Sequence, residues 1–196
     1  MARVIVAFGD GNTRYFLGDE NQSGPYELAW PAQMEDILLA LGVKVKVRNE
    51  GRPGEPAAAA RASFAEVIRG ADLCVVGFGM EDIRHLERTM AFYLSEMEDV
   101  LRQGKSMGVP IILLGIPWFD EDWGGALVQG RLPKWNEGLR LLSETYRVPF
   151  IDLYEALGDD PDRWYSEKKT PRHSFSAAGQ RRVAEIVLPA VLDYIH

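Results

Sequence analysis

Five short apolar runs separated by helical stretches constrain this chain more than any other feature. The runs are Val4–Phe8, Val43–Val47, Leu73–Phe78, Pro110–Ile116 and Val148–Leu153. Four are nearly continuous in Val, Ile, Leu and Phe, the pattern of strands buried on both faces. The second, Val43-Lys44-Val45-Lys46-Val47, alternates strictly, which predicts a half-buried strand at a sheet edge. Between the runs, apolar residues recur at helical spacing over Trp30–Leu41, Ala57–Ile68, Thr89–Met107, Leu132–Tyr146 and Ser176–Ile195. Ser176 is placed to cap the last helix, and Pro189 is expected to kink or break it. Strand–helix alternation throughout predicts an α/β protein, a doubly wound parallel sheet with helices on both faces.

Length and composition narrow the function classes. With 196 residues, one domain spanning residues 1–196 is expected. A net charge of −7 with scattered Lys and Arg argues against nucleic-acid partners. No apolar run approaches the roughly 20 residues that span a bilayer, and the apolar part of the N-terminus is too short for a signal peptide, so a cytoplasmic protein is expected. The single cysteine, Cys74, lies in the run Leu73-Cys74-Val75-Val76 and reads as a small buried hydrophobe. Neither Gly9-Asp10-Gly11 nor Gly77-Phe78-Gly79 completes a dinucleotide fingerprint, because Arg14 and Asp82 stand where the third glycine belongs. No tight metal-ligand motif appears, and no cofactor or metal is expected.

Two long connections, 10–29 and 117–133, follow strand ends. In open α/β sheets ligands bind at the carboxyl ends of the strands, and long loops in small domains are often functional. The second connection holds Pro117-Trp118-Phe119-Asp120-Glu121-Asp122-Trp123, which combines aromatic rings with acidic groups. Two of its three rings are expected to pack beneath the loop and one to meet a ligand, with Trp118 carried as the candidate.

Gly9-Asp10-Gly11-Asn12-Thr13, Asn49-Glu50-Gly51-Arg52-Pro53-Gly54, Gly79-Met80-Glu81-Asp82 and His173-Ser174-Phe175-Ser176-Ala177-Ala178-Gly179 resemble, in order, blocks of the SGNH (GDSL-type) hydrolase family. The first block of that family reads Gly-Asp-Ser, and the third reads Gly-x-Asn-Asp. Asn136 and the run ending Ile151-Asp152-Leu153 resemble the block after the third. In the last, Asp-x-x-His precedes a terminal helix. The resemblance implies a three-layer α/β/α fold with a five-stranded parallel sheet in flavodoxin-like order. It also implies an acylhydrolase site acting on a small acyl or carbohydrate-like ligand.

Carried over position by position, the resemblance puts Gly11 at the nucleophile, Glu81 at the oxyanion asparagine and Thr170 at the triad aspartate. It leaves Gly54 as the oxyanion-hole glycine and His173 as the histidine. Glycine offers no oxygen nucleophile, and an ionised carboxylate accepts hydrogen bonds but donates none. Losing one oxyanion donor costs about 10²–10³ in rate. Three readings follow. The first is a binding or pseudoenzyme domain. The second is a hydrolase in which Glu81 activates water and His173 acts as acid. The third is an esterase whose nucleophile was replaced by engineering in this chain. Asp10 and Asp82 are candidates for ligand contact, although aspartates at both places mostly support their loops in the family. Glu81 reads equally well as a solvated partner of a nearby arginine, and His85 as a surface residue.

Overall fold

The computed structural model describes residues 2–16, 23–166 and 172–195. In chain order the strands are β1 (Arg3–Gly9), β2 (Val45–Gly51), β3 (Leu73–Gly77), β4 (Ile111–Leu114) and β5 (Phe150–Ile151). The helices are α1 (Gly11–Arg14), α2 (Trp30–Ala40), α3 (Ala57–Val67), α4 (Met80–Arg84), α5 (Met90–Met107), α6 (Glu121–Gly124) and α7 (Ala126–Gln129). They continue with α8 (Leu132–Tyr146), α9 (Leu153–Gly158), α10 (Pro161–Trp164) and α11 (Ala177–Ile195). The five strands form one sheet in the order β2-β1-β3-β4-β5, with every pairing parallel. This is the doubly wound α/β arrangement that the alternation of runs predicts.

Strand pleating sorts the core into two layers. Val6, Phe8, Cys74, Val76, Ile111 and Leu113 face one side, against Phe64 of α3, Tyr93 and Met97 of α5, and Trp135 and Leu139 of α8. Their neighbours Ile5, Ala7, Leu73, Val75, Ile112 and Leu114 face the other, against Met34 and Leu38 of α2 and Val183, Val187 and Val191 of α11. Burial on both faces explains why the central runs are continuously apolar. Cys74 is fully buried within the first layer, where loss of solvation pushes its thiol up from the usual range.

β2 lies at the sheet edge and shows the expected alternation, with Val45 and Val47 buried around exposed Lys46. It does not end at Val47, as the apolar pattern suggested. It runs through Arg48, Asn49 and Glu50 because β1 pairs with it from Arg3↔Val45 to Gly9↔Gly51, and an edge strand tolerates polar side chains. β5 is shorter than its apolar run, since Asp152 already caps α9 by accepting from the Glu155 N–H.

α11 passes through Pro189 without a break, so of the expected kink or break only the break is ruled out. Proline removes one backbone bond, to the carbonyl of residue 185, and both Glu185 and Pro189 lie on the solvent face. The buried stripe of Val183, Ala184, Val187 and Val191 holds the helix together across that gap. Ser176 caps it as anticipated, its hydroxyl accepting from the Gly179 N–H at 3.0 Å.

Gln180 joins this helix to two others from a fully buried position. Its carboxamide accepts from the Trp30 N–H at 2.8 Å and donates to the Asn12 carbonyl at 2.8 Å. Gln180→Ala strands both backbone groups, at about 1–3 kcal/mol for each buried group left unpaired. We expect urea denaturation to show a lowered midpoint with an unchanged slope.

Candidate functional site

The site begins with a row of glycines. Gly9, Gly51 and Gly77 stand in register across the carboxyl ends of β1, β2 and β3. A Cβ on Gly9 would lie 2.2 Å from Thr13 Oγ1 and 2.8 Å from the Gly77 carbonyl, and one on Gly51 would lie 2.3 Å from the Arg14 nitrogen. Only glycine lets α1 settle this close to the strand ends. Asp10 starts α1 by accepting from the Asn12 N–H at 2.9 Å. Asn49 holds the far end, donating to the Thr13 carbonyl at 2.9 Å while accepting from the Gly51 N–H at 3.0 Å.

Asn12 ties this loop to the other end of the chain. Its carboxamide donates to the His173 carbonyl at 3.0 Å and accepts from the Phe175 N–H at 2.9 Å, so it spans the backbone around Ser174. Asn12 and Ser174 are both buried.

These contacts enclose a cavity of about 780 Å³ at the strand ends, lined by Asp10, Gly11, Asn12, Phe16, Pro53, Gly54, Met80, Glu81, Arg84, Asp122, Trp123, His173 and Ser174. Among the sequence-derived candidates, Gly11, Gly54, Glu81, Asp10 and His173 therefore share one cleft. Gly54 has a φ of +75°, a turn conformation that favours glycine. Thr170 lies outside the described residues, as does His196.

Two candidates do not reach the cavity. Asp82 is fully buried and bonded on both oxygens, accepting from the Ala57 N–H at 2.8 Å and from Arg88 at 3.1 Å. It anchors the start of α3 to the loop after α4. Burial raises its pKa, and the bonds from Ala57 and Arg88 partly oppose that rise. Trp118 packs edge-on against Tyr165, with centroids 5.1 Å apart and the Arg172 guanidinium 5.3 Å from its ring. Phe119 is buried. The ring that lines the cleft is Trp123, so the split of two packed rings and one presented holds but the presented residue differs. Trp123 stacks on His173 with centroids 4.8 Å apart and planes 17° from parallel, and the Arg84 guanidinium sits 5.0 Å from the Trp123 ring.

Glu81 is paired with a different group from either expectation. Its carboxylate meets His85 Nε2 at 2.7 Å, one helical turn on, and His85 Nδ1 lies 3.3 Å from Glu87. The residues that sequence reading passed over are Asn12, Arg84, Asp122, Trp123 and Ser174. Asn12 was legible within the first block, Ser174 within the last and Asp122 and Trp123 within the aromatic loop, but nothing local marked Arg84. No cluster of three or more His, Cys, Asp or Glu able to hold a metal ion occurs among the described residues. No helix among them is long and apolar enough to cross a membrane.

A sequence profile of the GDSL-like Lipase/Acylhydrolase family matches residues 7–182. The chain belongs to that family. Solved structures share its fold. A lipase/acylhydrolase from Enterococcus faecalis superposes with a TM-score of 0.81 at 22% identity, covering 99% of this chain and 97% of its own. An acetyl xylan esterase, AlAXEase, gives 0.78 at 16% identity over 96% and 99%. The SGNH-hydrolase family esterase AlinE4 gives 0.68 at 23% identity over 100% and 98%. No curated protein matches the sequence closely enough to serve as a relative.

Asp10 carries the site's clearest electrostatic signature. Its carboxyl is raised from 3.8 to about 7, first by burial and then by the nearby charges of Glu81 and Asp82, against the lowering bond from Asn12. The folded protein therefore retains a proton that the unfolded chain releases near the ordinary value. The contribution of Asp10 to stability falls as pH rises between about 4 and 7 and is level above that window. Asp10→Asn keeps an acceptor for the Asn12 N–H but cannot ionise. Its stability relative to the parent should climb across that window in chemical denaturation, whereas a constant difference would contradict the assignment.

Proposed function

We propose that this family member binds a small acyl or acylated-sugar ligand non-covalently in the cleft at the strand ends. Gly11 carries the reading. At the place where the family's nucleophile is expected, the chain offers only backbone, so no acyl-enzyme forms there. Glu81 supports it, because a carboxylate beside a developing oxyanion opposes the charge that esterases stabilise. The acylated-sugar class is supported by the acetyl xylan esterase among the structural neighbours and by Trp123 in the cleft wall.

A second reading is favoured by one observation, that Glu81 and His173 line the same cavity. Glu81 would draw a proton from water attacking a small ester, and His173 would protonate the leaving alkoxide. Against it stands the pairing of Glu81 with His85.

Two assays on the purified protein separate these. Hydrolysis of p-nitrophenyl acetate by the parent should match buffer, and peracetylated xylose should change tryptophan emission saturably through Trp123, an effect lost in Trp123→Phe. Gly11→Ser restores a hydroxyl where an added Cβ meets Phe16 Cβ at 3.1 Å, a tight but accommodable contact. Combined with Glu81→Asn, it should raise hydrolysis above the parent. Turnover by the parent that disappears in both His173→Ala and Glu81→Gln would replace the binding reading with the hydrolytic one.

A further inference from the structure

The wall of the cleft that contains His173 and Trp123 comes from two loops far apart in sequence. Trp123 lies in α6, after β4, and His173 lies just before α11. Arg172 and Asp120 join these loops through both side chain and backbone. Arg172 Nε and Nη2 donate to the two Asp120 carboxylate oxygens at 2.9 and 3.2 Å, a two-pronged pairing. The backbones reciprocate. The Arg172 N–H donates to Asp120 Oδ2 at 3.1 Å, and the Asp120 N–H donates to the Arg172 carbonyl at 2.7 Å. Both side chains are largely buried, at 12% and 24% exposure, so the pair is shielded from the screening that weakens surface ion pairs. Arg172 also pairs with Asp162 in α10 and lies over the Trp118 ring. Trp118 in turn meets Tyr165, which bridges to Phe175.

We propose that the Arg172–Asp120 clamp is the positioning element of the ligand cleft, holding His173 in its stack on Trp123. Arg172 directly precedes His173, and Asp120 lies three residues before Trp123. The clamp thus fixes both backbones next to the rings they carry. Stacking of two small planar groups is too weak alone to order two loops. The four hydrogen bonds at Asp120 and Arg172 supply the constraint, and the stack forms as its consequence. The inference rests on the cleft being the ligand site, but its test uses no ligand.

The chain has three histidines, so the imidazole region of a proton NMR spectrum in heavy water is simple enough to assign with His173→Ala and His85→Ala. A ring stacked on tryptophan is shielded, so the His173 signals should lie upfield of those of His85. In Arg172→Ala and Asp120→Ala they should move downfield towards free histidine. The His85 signals, the far-UV circular dichroism and the cooperativity of urea unfolding should be retained. Asp120→Asn, which keeps the backbone bonds, and Arg172→Lys, which keeps the charge but not the fork, should give intermediate shifts. They also serve as the test if either alanine variant fails to fold. His173 signals that stay upfield in all folded variants would overturn the proposal. Loss of the shift in variants of a protein that fails to bind peracetylated xylose would leave the clamp standing and remove the ligand reading.

Discussion

The carboxamide of Asn12 is the interaction on which the site depends. Two hydrogen bonds from one buried side chain connect the loop after the first strand to the segment before the last helix, 161 and 163 residues away in sequence. A buried amide that loses its partners costs more than the bonds themselves contribute, so the loop and the segment are fixed together. Gln180 extends the tie to α2 through the Trp30 N–H. The row of Gly9, Gly51 and Gly77 makes the arrangement possible, because it lets α1 and Asn12 sit directly on the strand ends. The cleft is therefore a property of the sheet's topology, with its walls contributed by loops that the core positions.

Within that frame the electrostatics differ from those of a site built to stabilise an oxyanion. Asp10, Glu81 and Asp122 bring carboxyl groups to the lining, and Arg84 and His173 are engaged with Trp123. The raised Asp10 carboxyl records its burial first and the neighbouring Glu81 and Asp82 charges second.

Much of the fold was legible because apolar runs buried on two faces leave an unambiguous pattern, and α8 begins and ends where its periodicity says. β2 was read too short because its outer half is polar, and an edge strand is held by backbone pairing with β1 rather than by side-chain burial. Pro189 was read as a kink or a break because the local cost is visible in sequence, while the compensating stripe on the opposite face of α11 acts through tertiary packing. Strand ends and block order put Gly11, Gly54, Glu81 and His173 at one rim, and all four line one cavity. The pairing of Glu81 with His85 was missed, although a spacing of four residues on a helix allows it. The choice of Trp123 over Trp118 was beyond sequence. It is decided by Arg172 and Tyr165, which draw Trp118 away from the cavity.

The central claim is that this cleft binds without forming a covalent acyl-enzyme. It is tested most directly by intact-mass spectrometry after incubation with a fluorophosphonate that labels activated serines. Ser174 is the only hydroxyl-bearing side chain lining the cavity among the described residues, and it sits beside His173. An unchanged mass after prolonged incubation is the predicted result. A single stoichiometric adduct mapped to Ser174 would contradict the account and identify a displaced nucleophile.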